Sequence, residues 1–478
     1  MSENSFHKDL LENFPYTPTA DQERLLRAVS KFTFSQRPNC LLLVRGYAGT
    51  GKTTVVGAIT KALENIKYKS VLLAPTGRAA KVMANYSGHL ALTIHKKIYR
   101  KKTGRGGVVS FEKAPNLHTN TVFFVDEASM ISSSGGLADG SSLTYRDLLD
   151  DLMSYVFSGK NCRLILIGDT AQLPPVGIDE SPALNLEYLK NSFSVTAAQI
   201  ELTEVLRQSH DSGILENATY LRDAIRNNPN EFPHLKVGGF SDIVRLAGDE
   251  LEEELQTAYN EFGDRGTMVI TRSNKRANLF NQQIRNRLLW REEDLAVGDM
   301  LMVVRNNYFW LDDEQSKMAS FIANGDIAEI KKIIKFEELY DFQFAEVEIE
   351  LIDYPDMPPL EAKILIDTIS TEGAHMPQER MKAFYHDVAE DYVELGAREK
   401  IHKAVMEDPF YNALQVKFSY AITCHKAQGG QWPVVFVDQG FVNEEMMGKE
   451  YLRWLYTAVT RASEKLYLLN FDKAFFGE

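Results

Sequence analysis

The segment that most constrains the fold of this chain is a glycine-rich octapeptide, GYAGTGKT, at residues 46–53. It lies between an apolar run, residues 40–45, and the helix-forming sequence TTVVGAITKAL, which is the strand–loop–helix context of a phosphate-binding loop. Glycines let the backbone point its N–H groups at phosphate oxygens, and the start of the helix adds a favourable dipole. The pattern predicts a nucleoside triphosphate site in which Lys52 neutralises the β- and γ-phosphates and the Thr53 hydroxyl binds Mg²⁺.

Two further strand ends carry groups suited to hydrolysis of that nucleotide. The apolar run at residues 122–125 leads into Asp126, which can hold Mg²⁺, and Glu127, which can polarise a water molecule for attack on the γ-phosphate. A later apolar run leads into GDTAQLPP, where Gln172 could bond both the γ-phosphate and the attacking water. Alone, an acidic pair at a strand end or a polar turn with two prolines is often structural. The upstream loop favours the catalytic interpretation of both.

The chain alternates strand-like and helix-like segments in the manner of parallel sheets covered by helices. Strands are predicted at residues 40–45, 70–74, 121–125, 163–168, 268–271, 416–421, 434–438 and 465–470, and an amphipathic helix at 275–289. In the stretch from 296 to 413, short β-rich pieces at 300–305, 327–334, 345–352 and 362–367 accompany a charged helical segment, 377–399. We expect an α/β fold with a first domain at residues 1–200, a second at 201–295 plus 414–478, and a small β-barrel-like insertion at 296–413.

Composition limits the class of protein and its partners. The 478 residues suffice for about three domains, and the longest apolar runs are far shorter than the ~18 residues that span a bilayer. The first residues lack the pattern of a secretory signal. Three scattered cysteines (Cys40, Cys162 and Cys424) argue against a disulfide framework or a zinc site and predict a cytoplasmic location. The net charge of −13 argues mildly against tight duplex binding, although such a sum says little about one groove.

Eight motifs follow one another between about residues 19 and 470. They read GYAGTGKT, APTGRAAK (74–81), TIHK (93–96), VDEASM (125–130), GDTAQLPPV (168–176), LTEVLRQ (202–208), TCHKAQGGQW (423–432) and YTAVTRA (456–462). In content and order they resemble the superfamily 1 helicases, most closely the RecD/Dda branch, whose members move 5′ to 3′. The resemblance implies two RecA-like parallel-sheet domains with ATP and Mg²⁺ between them, and an SH3-like fold for the insertion.

The resemblance also implies roles for individual residues. Gln22 would read the adenine edge, Gln172 would sense the γ-phosphate, and the second domain would supply two arginine fingers. The implied catalytic set is Lys52, Glu127, Gln172, Arg207 and Arg461. The nucleotide would be held by Gln22, Gly46, Ala48, Gly49, Thr50, Gly51, Lys52, Thr53 and Thr54, and Mg²⁺ by Thr53 and Asp126. The single-strand path would be lined by Thr76, Thr93, His95, Thr423, His425 and Lys426.

Three segments have two interpretations each. Basic residues and glycines predict a β-hairpin at about 101–118. In this branch a hairpin at this place acts as a wedge at the fork, with Phe111 stacking on a base. A disordered basic loop is the alternative. The aromatic residues at 308–310 are interpreted as core of the insertion rather than as base-stacking groups. The Ser/Gly-rich segment at 132–143 is interpreted as a surface loop, with a contact to a partner or to the track as the alternative.

Together these features predict an ATP-dependent DNA helicase. It would translocate on single-stranded DNA, unwind a duplex fork, work as a monomer and bind no membrane. A motor subunit active only within a repair, recombination or replication complex is one alternative. A helicase that acts on RNA or RNA–DNA hybrids is another, since phosphate and stacking contacts tolerate both sugars. A small-molecule kinase with a phosphate loop is disfavoured by the eight ordered motifs.

Overall fold

The computed structural model describes residues 2–103, 109–132, 147–205, 211–312, 315, 319, 321–373 and 375–477, with the backbone alone at 101–103 and 109–111. The predictions for Arg207, for the side chain of Phe111 and for most of segment 132–143 therefore lie outside the described residues. Within the described ranges, no helix combines the length and the hydropathy needed to span a bilayer.

The first part of the chain forms a six-stranded parallel sheet with helices on both faces. Its elements are α1 (Glu3–Glu12), α2 (Ala20–Phe34), β1 (Cys40–Gly46), α3 (Lys52–Asn65), β2 (Lys69–Ala74), α4 (Gly77–Ser87), β3 (Ala91–Thr93), α5 (Ile94–Ile98), β4 (Tyr99–Thr103), β5 (Val109–Lys113), β6 (Thr119–Val125), α6 (Leu148–Ser158), β7 (Lys160–Gly168), α7 (Leu186–Ser192) and β8 (Thr196–Leu202). The strand order is β3-β2-β6-β7-β1-β8, and β4 and β5 form a separate antiparallel hairpin.

Burial on both faces explains why the central strands read as unbroken apolar runs. In β6, Val122 and Phe124 face the hydrophobic core under α2 and α3, whereas Phe123 and Val125 face the core under α6. Because β6, β7 and β1 are neighbours and run in the same direction, their carboxyl ends meet at one edge. Ligands of open parallel sheets collect at that edge.

The rest of the chain forms a second parallel sheet and a closed barrel inserted in it. In chain order the elements are α8 (Gly213–Asn227), β9 (Ile243–Leu246), α9 (Leu251–Gly266), β10 (Thr267–Thr271), α10 (Asn274–Gln283), a π-helical turn (Ile284–Leu288), β11 (Met300–Val303), β12 (Ile327–Leu339), β13 (Phe342–Leu351), β14 (Leu360–Leu365), α11 (Asp367–Ser370), α12 (Gln378–Glu390), α13 (Arg398–Met406), β15 (Leu414–Phe418), β16 (Ala421–Thr423), α14 (Cys424–Ala427), β17 (Trp432–Asp438), α15 (Lys449–Val459) and β18 (Ala462–Leu469). The second sheet has the order β16-β10-β17-β18-β9, and β11 to β15 close the barrel.

The prediction of one continuous strand at residues 416–421 is wrong. β15 completes the barrel by pairing with β11 and β14, and β16 belongs to the second sheet. Between them, the buried Tyr420 donates its hydroxyl to Asp299 Oδ1 (2.9 Å) at the root of the barrel. Both halves are buried, so apolar patterning could not reveal the change of sheet. The barrel therefore extends one strand beyond the predicted limit at residue 413.

The charged helical segment predicted at 377–399 is also divided. It contains α12 and only the first two residues of α13, which continues to Met406, and Gly396 between the two helices has a φ of 68°. A residue with a Cβ rarely adopts that conformation, so the glycine allows the chain to leave one helix and begin the next.

Candidate functional site

The octapeptide at residues 46–53 joins β1 to α3, and its glycines carry the unusual backbone. Gly49 has a φ of 76° and Gly51 a φ of 75°, values in the left-handed region that favours glycine. Gly51 is the N-cap of α3 and provides no capping side chain, an arrangement that suits an anion at the helix start. Lys52 Nζ donates to the carbonyl oxygens of Gly46 (2.8 Å) and Tyr47 (3.0 Å), so the ammonium lies within the loop.

Gln22 is buried against this loop. Its Nε2 donates to the carbonyl oxygen of Thr50 (3.0 Å), and its Oε1 accepts from the N–H of Thr19 (3.0 Å), which closes a capping box at the start of α2. Thr50 is tied back by its own hydroxyl to the carbonyl of Tyr47 (2.8 Å). The Gln22 amide thus braces the loop in this structure, and its role in reading adenine stays a prediction.

Asp126 and Glu127 follow β6 at the same edge of the sheet. The N–H of Glu127 donates to Asp126 Oδ1 (2.8 Å), and Glu127 has a left-handed φ of 51°, which is uncommon for a residue other than glycine and concentrates at functional sites. Burial and the neighbouring Glu127 raise the pKa of Asp126 to about 6, while Lys52 acts in the opposite direction. Two adjacent, half-buried carboxylates form a donor set that fits a divalent cation.

The residues present fit Mg²⁺ shared with a nucleotide rather than held by the protein alone. Among the described residues, no cluster of three or more His, Cys, Asp or Glu could hold a metal ion. Mg²⁺ is commonly bound by one or two protein groups together with substrate phosphates. Asp126 at the end of β6 and Thr53 in the first turn of α3 are groups of that kind.

The turn after β7, residues 168–173, is held by the second domain, and we call it the coupling turn. The hydroxyl of Tyr456, on α15, donates to Asp169 Oδ2 (2.6 Å) and accepts from the N–H of Ala48 in the phosphate loop (3.0 Å). Tyr456 and Asp169 are both almost fully buried. One phenol therefore joins the phosphate loop, the coupling turn and the second domain.

The far end of the coupling turn is held in the same way. The N–H of Leu173 donates to the hydroxyl of Thr457 (2.9 Å), and its carbonyl accepts from Gln428 Nε2 (2.7 Å). Gln172 lies between these anchors. It is buried, and its Oε1 has no hydrogen-bond partner among the described residues. An unpaired buried acceptor is costly, which suits a group that bonds a ligand.

Arg461, the predicted arginine finger that the structure describes, is bonded within the second domain. Its Nε donates to the carbonyl of Thr457 (3.0 Å), Nη1 to the carbonyl of Gly430 (3.1 Å) and Nη2 to Thr460 Oγ1 (3.1 Å). The structure thus places Arg461 beside the interface but does not bring it onto the phosphate loop. Its role as a finger stays a prediction.

Part of the predicted single-strand path lines one cleft. A cavity of about 190 Å³ is bounded by Thr76 and Arg78 at the start of α4, by His425 and Lys426 on α14, and by a turn of the barrel at residues 324–326. Groups from both α/β domains and from the barrel therefore converge there. Lys426 donates to the side chain of Asn324, which ties the second domain to the barrel turn.

The other predicted path residues have different surroundings. The Thr93 hydroxyl caps α5 by accepting from the N–H of Lys96 (3.1 Å), and Thr423 precedes α14 outside the cavity. The His95 ring packs against Tyr99 (5.7 Å between centroids) and Phe321 of the barrel (6.1 Å). Burial lowers the pKa of His95 to about 4, so its ring is neutral at pH 7.

The aromatic residues at 308–310 pack within the insertion. Trp310 Nε1 donates to the carbonyl of Asn412 (2.8 Å), and Phe309 meets Trp310 edge to face at 4.9 Å. Tyr308 packs against Phe321 at 4.8 Å. These contacts favour the interpretation of the three rings as core of the insertion.

Sequence reasoning missed the side chains that link the phosphate loop to the second domain. Tyr47 occupies a variable position of the loop pattern, yet its hydroxyl donates to Glu201 (2.7 Å). Its ring lies under the guanidinium groups of Arg222 (4.7 Å) and Arg226 (5.2 Å), both on α8. Tyr456 carried a signal, since it begins the motif YTAVTRA, but nothing in that motif indicated which group its hydroxyl would meet.

Comparisons with known proteins confirm the resemblance seen in the motifs. The sequence profile of the AAA domain matches residues 19–231, and that of the UvrD-like helicase C-terminal domain matches residues 418–469. The ATP-dependent DNA helicase Dda of Enterobacteria phage T4 is 28% identical over 54% of this chain and 55% of its own length. The ATP-dependent RecD2 DNA helicase of Deinococcus radiodurans is 31% identical over 37% of this chain and 21% of its own length. The chain belongs to the superfamily 1 helicases.

Within that superfamily it falls in the RecD/Dda branch, and as a member it is an ATP-hydrolysing helicase. An uncharacterized protein of Acanthamoeba polyphaga mimivirus is 23% identical over 90% of this chain and 96% of its own length. Among solved structures, the Pif1 helicase from Bacteroides in complex with ADP-AlF3 and ssDNA aligns over 96% of this chain and 94% of its own, with a TM-score of 0.46 and 14% identity.

Proposed function

We propose that this helicase moves 5′ to 3′ along single-stranded DNA and unwinds a duplex fork, driven by ATP hydrolysed between its two α/β domains. One observation carries the proposal. The hydroxyl of Tyr456 on the second domain bonds both Ala48 in the phosphate loop and Asp169 in the coupling turn. Changes at the nucleotide therefore have a direct contact through which to move the second domain, as domain closure requires.

In this proposal the first domain supplies most of the catalytic groups. Lys52 neutralises the phosphates, Thr53 and Asp126 hold Mg²⁺, and Glu127 orients and deprotonates the attacking water. Mg²⁺, when bound, would neutralise charge on the β- and γ-phosphates. Gln172 senses the γ-phosphate from the coupling turn, and its buried unpaired Oε1 supports that assignment.

Two arginines of the second domain complete the catalytic set in the proposal. Arg207 and Arg461 would contact the γ-phosphate as the domains close. Arg461 would have to exchange its present bonds to carbonyl and hydroxyl oxygens for bonds to phosphate. Gln22 would read adenine only after a similar exchange of its bonds to Thr19 and Thr50.

The single strand would lie in the cleft formed by the two domains and the barrel. Arg78 and Lys426 bring positive charge to it, and Thr76 offers a hydroxyl at the start of α4. Such groups contact phosphates rather than base edges, so little sequence preference is expected. DNA is favoured over RNA because Dda and RecD2 are both named DNA helicases.

The remaining parts of the proposal rest on position in the fold. The backbone of Phe111 lies opposite that of Lys101 in the hairpin of β4 and β5, and we propose this hairpin as the wedge at the fork. The five-stranded barrel would be the SH3-like subdomain of this branch. The three cysteines are free thiols, which fits the reducing cytoplasm. We propose a monomeric motor, with a repair or replication protein as a possible partner.

Unwinding of tailed duplexes tests the proposal. Two partial duplexes with the same paired region, one with a 5′ and one with a 3′ single-stranded DNA tail, are incubated with the full chain and ATP. We expect ATP-dependent unwinding of the 5′-tailed substrate alone. Preference for the 3′ tail contradicts the direction, and faster unwinding with an RNA tail contradicts the choice of track. Activity only after addition of a partner protein favours the alternative of a motor subunit.

A further inference from the structure

A second, larger cavity lies between the two α/β domains beside the coupling turn. It has a volume of about 390 Å³ and is lined by the ends of β1 and β8 in the first domain and by α8 and α15 in the second. Lys52, Thr53, Asp126 and Glu127 do not line it, whereas Tyr47 of the phosphate loop does, so the cavity adjoins the loop without including its proposed catalytic and Mg²⁺-binding groups. Gln172 does line it, and the cavity therefore adjoins the position proposed for the γ-phosphate.

Three buried polar atoms on the lining residues lack partners. Ser129 Oγ, Gln172 Oε1 and Arg453 Nε have no hydrogen bond among the described residues, and the three residues are 2%, 5% and 7% exposed. Leaving such atoms unpaired destabilises a fold, so their occurrence on the wall of one cavity points to a ligand. The ligand must accept from the Arg453 N–H and donate to the Gln172 oxygen, while the Ser129 hydroxyl can do either.

The charge of the lining fits an anion. Five basic side chains face three acidic ones: Arg45, Arg222, Arg226, Lys449 and Arg453 against Asp169, Glu180 and Glu201. A small tetrahedral oxyanion that keeps a proton, such as hydrogen phosphate, has both the acceptor oxygens and the donor hydroxyl that the three unpaired atoms require. Sulfate has the same shape but no proton to donate to Gln172.

The lining residues differ in burial. Gln172, Ser129 and Arg453 are buried. The side chain of Lys449 is 50% exposed and that of Glu180 is 61% exposed, and their charged atoms lie 3.8 Å apart. The wall of the cavity thus includes both the buried Gln172 and side chains that solvent reaches.

We propose that this cavity binds inorganic phosphate, the product of hydrolysis, and conducts it to solvent while ADP remains on the loop. Hydrolysis joins the oxygen of water to the γ-phosphorus and breaks its bond to the bridging oxygen, which leaves ADP, inorganic phosphate and a proton. This inference rests on the proposed ATP hydrolysis for its biological meaning. The phosphate site itself can be tested without turnover.

The test is direct titration of the full chain with inorganic phosphate, followed by ³¹P NMR and calorimetry. Lys52→Ala is included because it removes phosphate binding at the loop and should leave binding in the cavity intact. Arg453→Gln removes the buried guanidinium and should weaken phosphate binding about tenfold or more. Lys449→Glu, at an exposed position where folding is not at stake, should weaken it about threefold. Sulfate should bind more weakly than phosphate.

The matched control is Arg272→Gln. Arg272 is exposed and stacks on Tyr451 and Trp454 of α15, away from the cavity, so its loss should leave phosphate affinity unchanged. Wild-type phosphate affinity in both Arg453→Gln and Lys449→Glu would overturn the proposal. Loss of all phosphate binding in Lys52→Ala, or equal affinity for sulfate, would do the same. Phosphate binding by a wild-type chain that does not hydrolyse ATP would contradict the proposed function and leave the cavity assignment standing.

Discussion

Replacement of Gly49 by alanine should destabilise the phosphate loop through two effects, a strained backbone and close contacts of the new methyl group. Gly49 has a φ of 76°, and a Cβ built on it would lie 3.1 Å from Leu215 Cδ2 and 3.2 Å from Val205 Cγ1. The left-handed backbone costs a residue with a Cβ ~1–2 kcal/mol. The two close contacts add the cost of overpacking, ~1–3 kcal/mol. We therefore expect the free energy of unfolding to fall by ~2–5 kcal/mol in total.

Gly88→Ala is the matched control. Gly88 has a φ of 69° at the end of α4, and a Cβ there would meet nothing within 4 Å, so only the backbone cost of ~1–2 kcal/mol applies. Urea denaturation compares the stability of the two variants, and steady-state ATPase assays compare their kcat and KM. Because Leu215 lies on α8, the new methyl group also presses on the second domain, and kcat should fall in Gly49→Ala alone. Equal losses of stability in the two variants, with normal kcat in both, would refute this reasoning.

Two further predictions concern the domain interface and the single-strand path. Tyr456→Phe removes the hydroxyl that bonds Asp169 and the Ala48 N–H, so kcat should fall about 10–100-fold with KM for ATP nearly unchanged. The control is Tyr451→Phe, because the buried hydroxyl of Tyr451 on the same helix has no partner among the described residues, and this variant should behave as wild type. Equal kcat in both variants would exclude the coupling role of Tyr456. Burial and Asp353 raise the pKa of Asp326 to about 7, so this carboxyl gains a charge that repels DNA phosphates as the pH rises through neutrality. Affinity for single-stranded DNA, measured by fluorescence anisotropy from about pH 6 to about pH 8.5, should fall about three- to tenfold more in wild type than in Asp326→Asn; parallel pH profiles would contradict this.

The geometry of the candidate nucleotide site could be predicted because its determinants are local in sequence. The left-handed glycines, Lys52 and the start of α3 lie within one octapeptide, and the flanking apolar strand gives the sheet that presents it. Asp126 follows its strand directly for the same reason. Parallel strands bring such ends together without any further information.

The contacts between the domains could not be predicted, because they depend on how distant segments pack. Ala48 and Tyr456 are 408 residues apart in the chain, and Asp169 and Tyr456 are 287 apart. Arg453 and Arg461 look alike in sequence, as arginines on or just after one helix. Only the structure shows that Arg453 lines a cavity with an unpaired Nε, while each of the three guanidinium nitrogens of Arg461 donates within its own domain.

The predicted strand boundaries are wrong where two sheets share one buried stretch of chain. Residues 414–423 contain β15 and β16, and every position except Thr423 is buried, including the polar residues Gln415, Lys417 and Ser419. Polarity therefore does not mark where the chain leaves one sheet for the other. The long hairpin of β12 and β13 extends beyond the predicted pieces because its outer residues are charged and pair across the hairpin, as Lys335 does with Glu346 (3.4 Å). Such pairs are polar in sequence and read as a loop.

The central claim is that hydrolysis at Lys52 and Glu127 drives the motor, and one measurement tests it most directly. ATPase rates of wild type, Glu127→Gln and Lys52→Ala are measured with and without single-stranded DNA, and binding of the strand is followed in parallel. We predict DNA-stimulated turnover in wild type, a loss of about 10²–10⁴-fold or more in each variant, and unchanged strand binding in both. Wild-type turnover in either variant, or loss of strand binding together with turnover, would contradict the account.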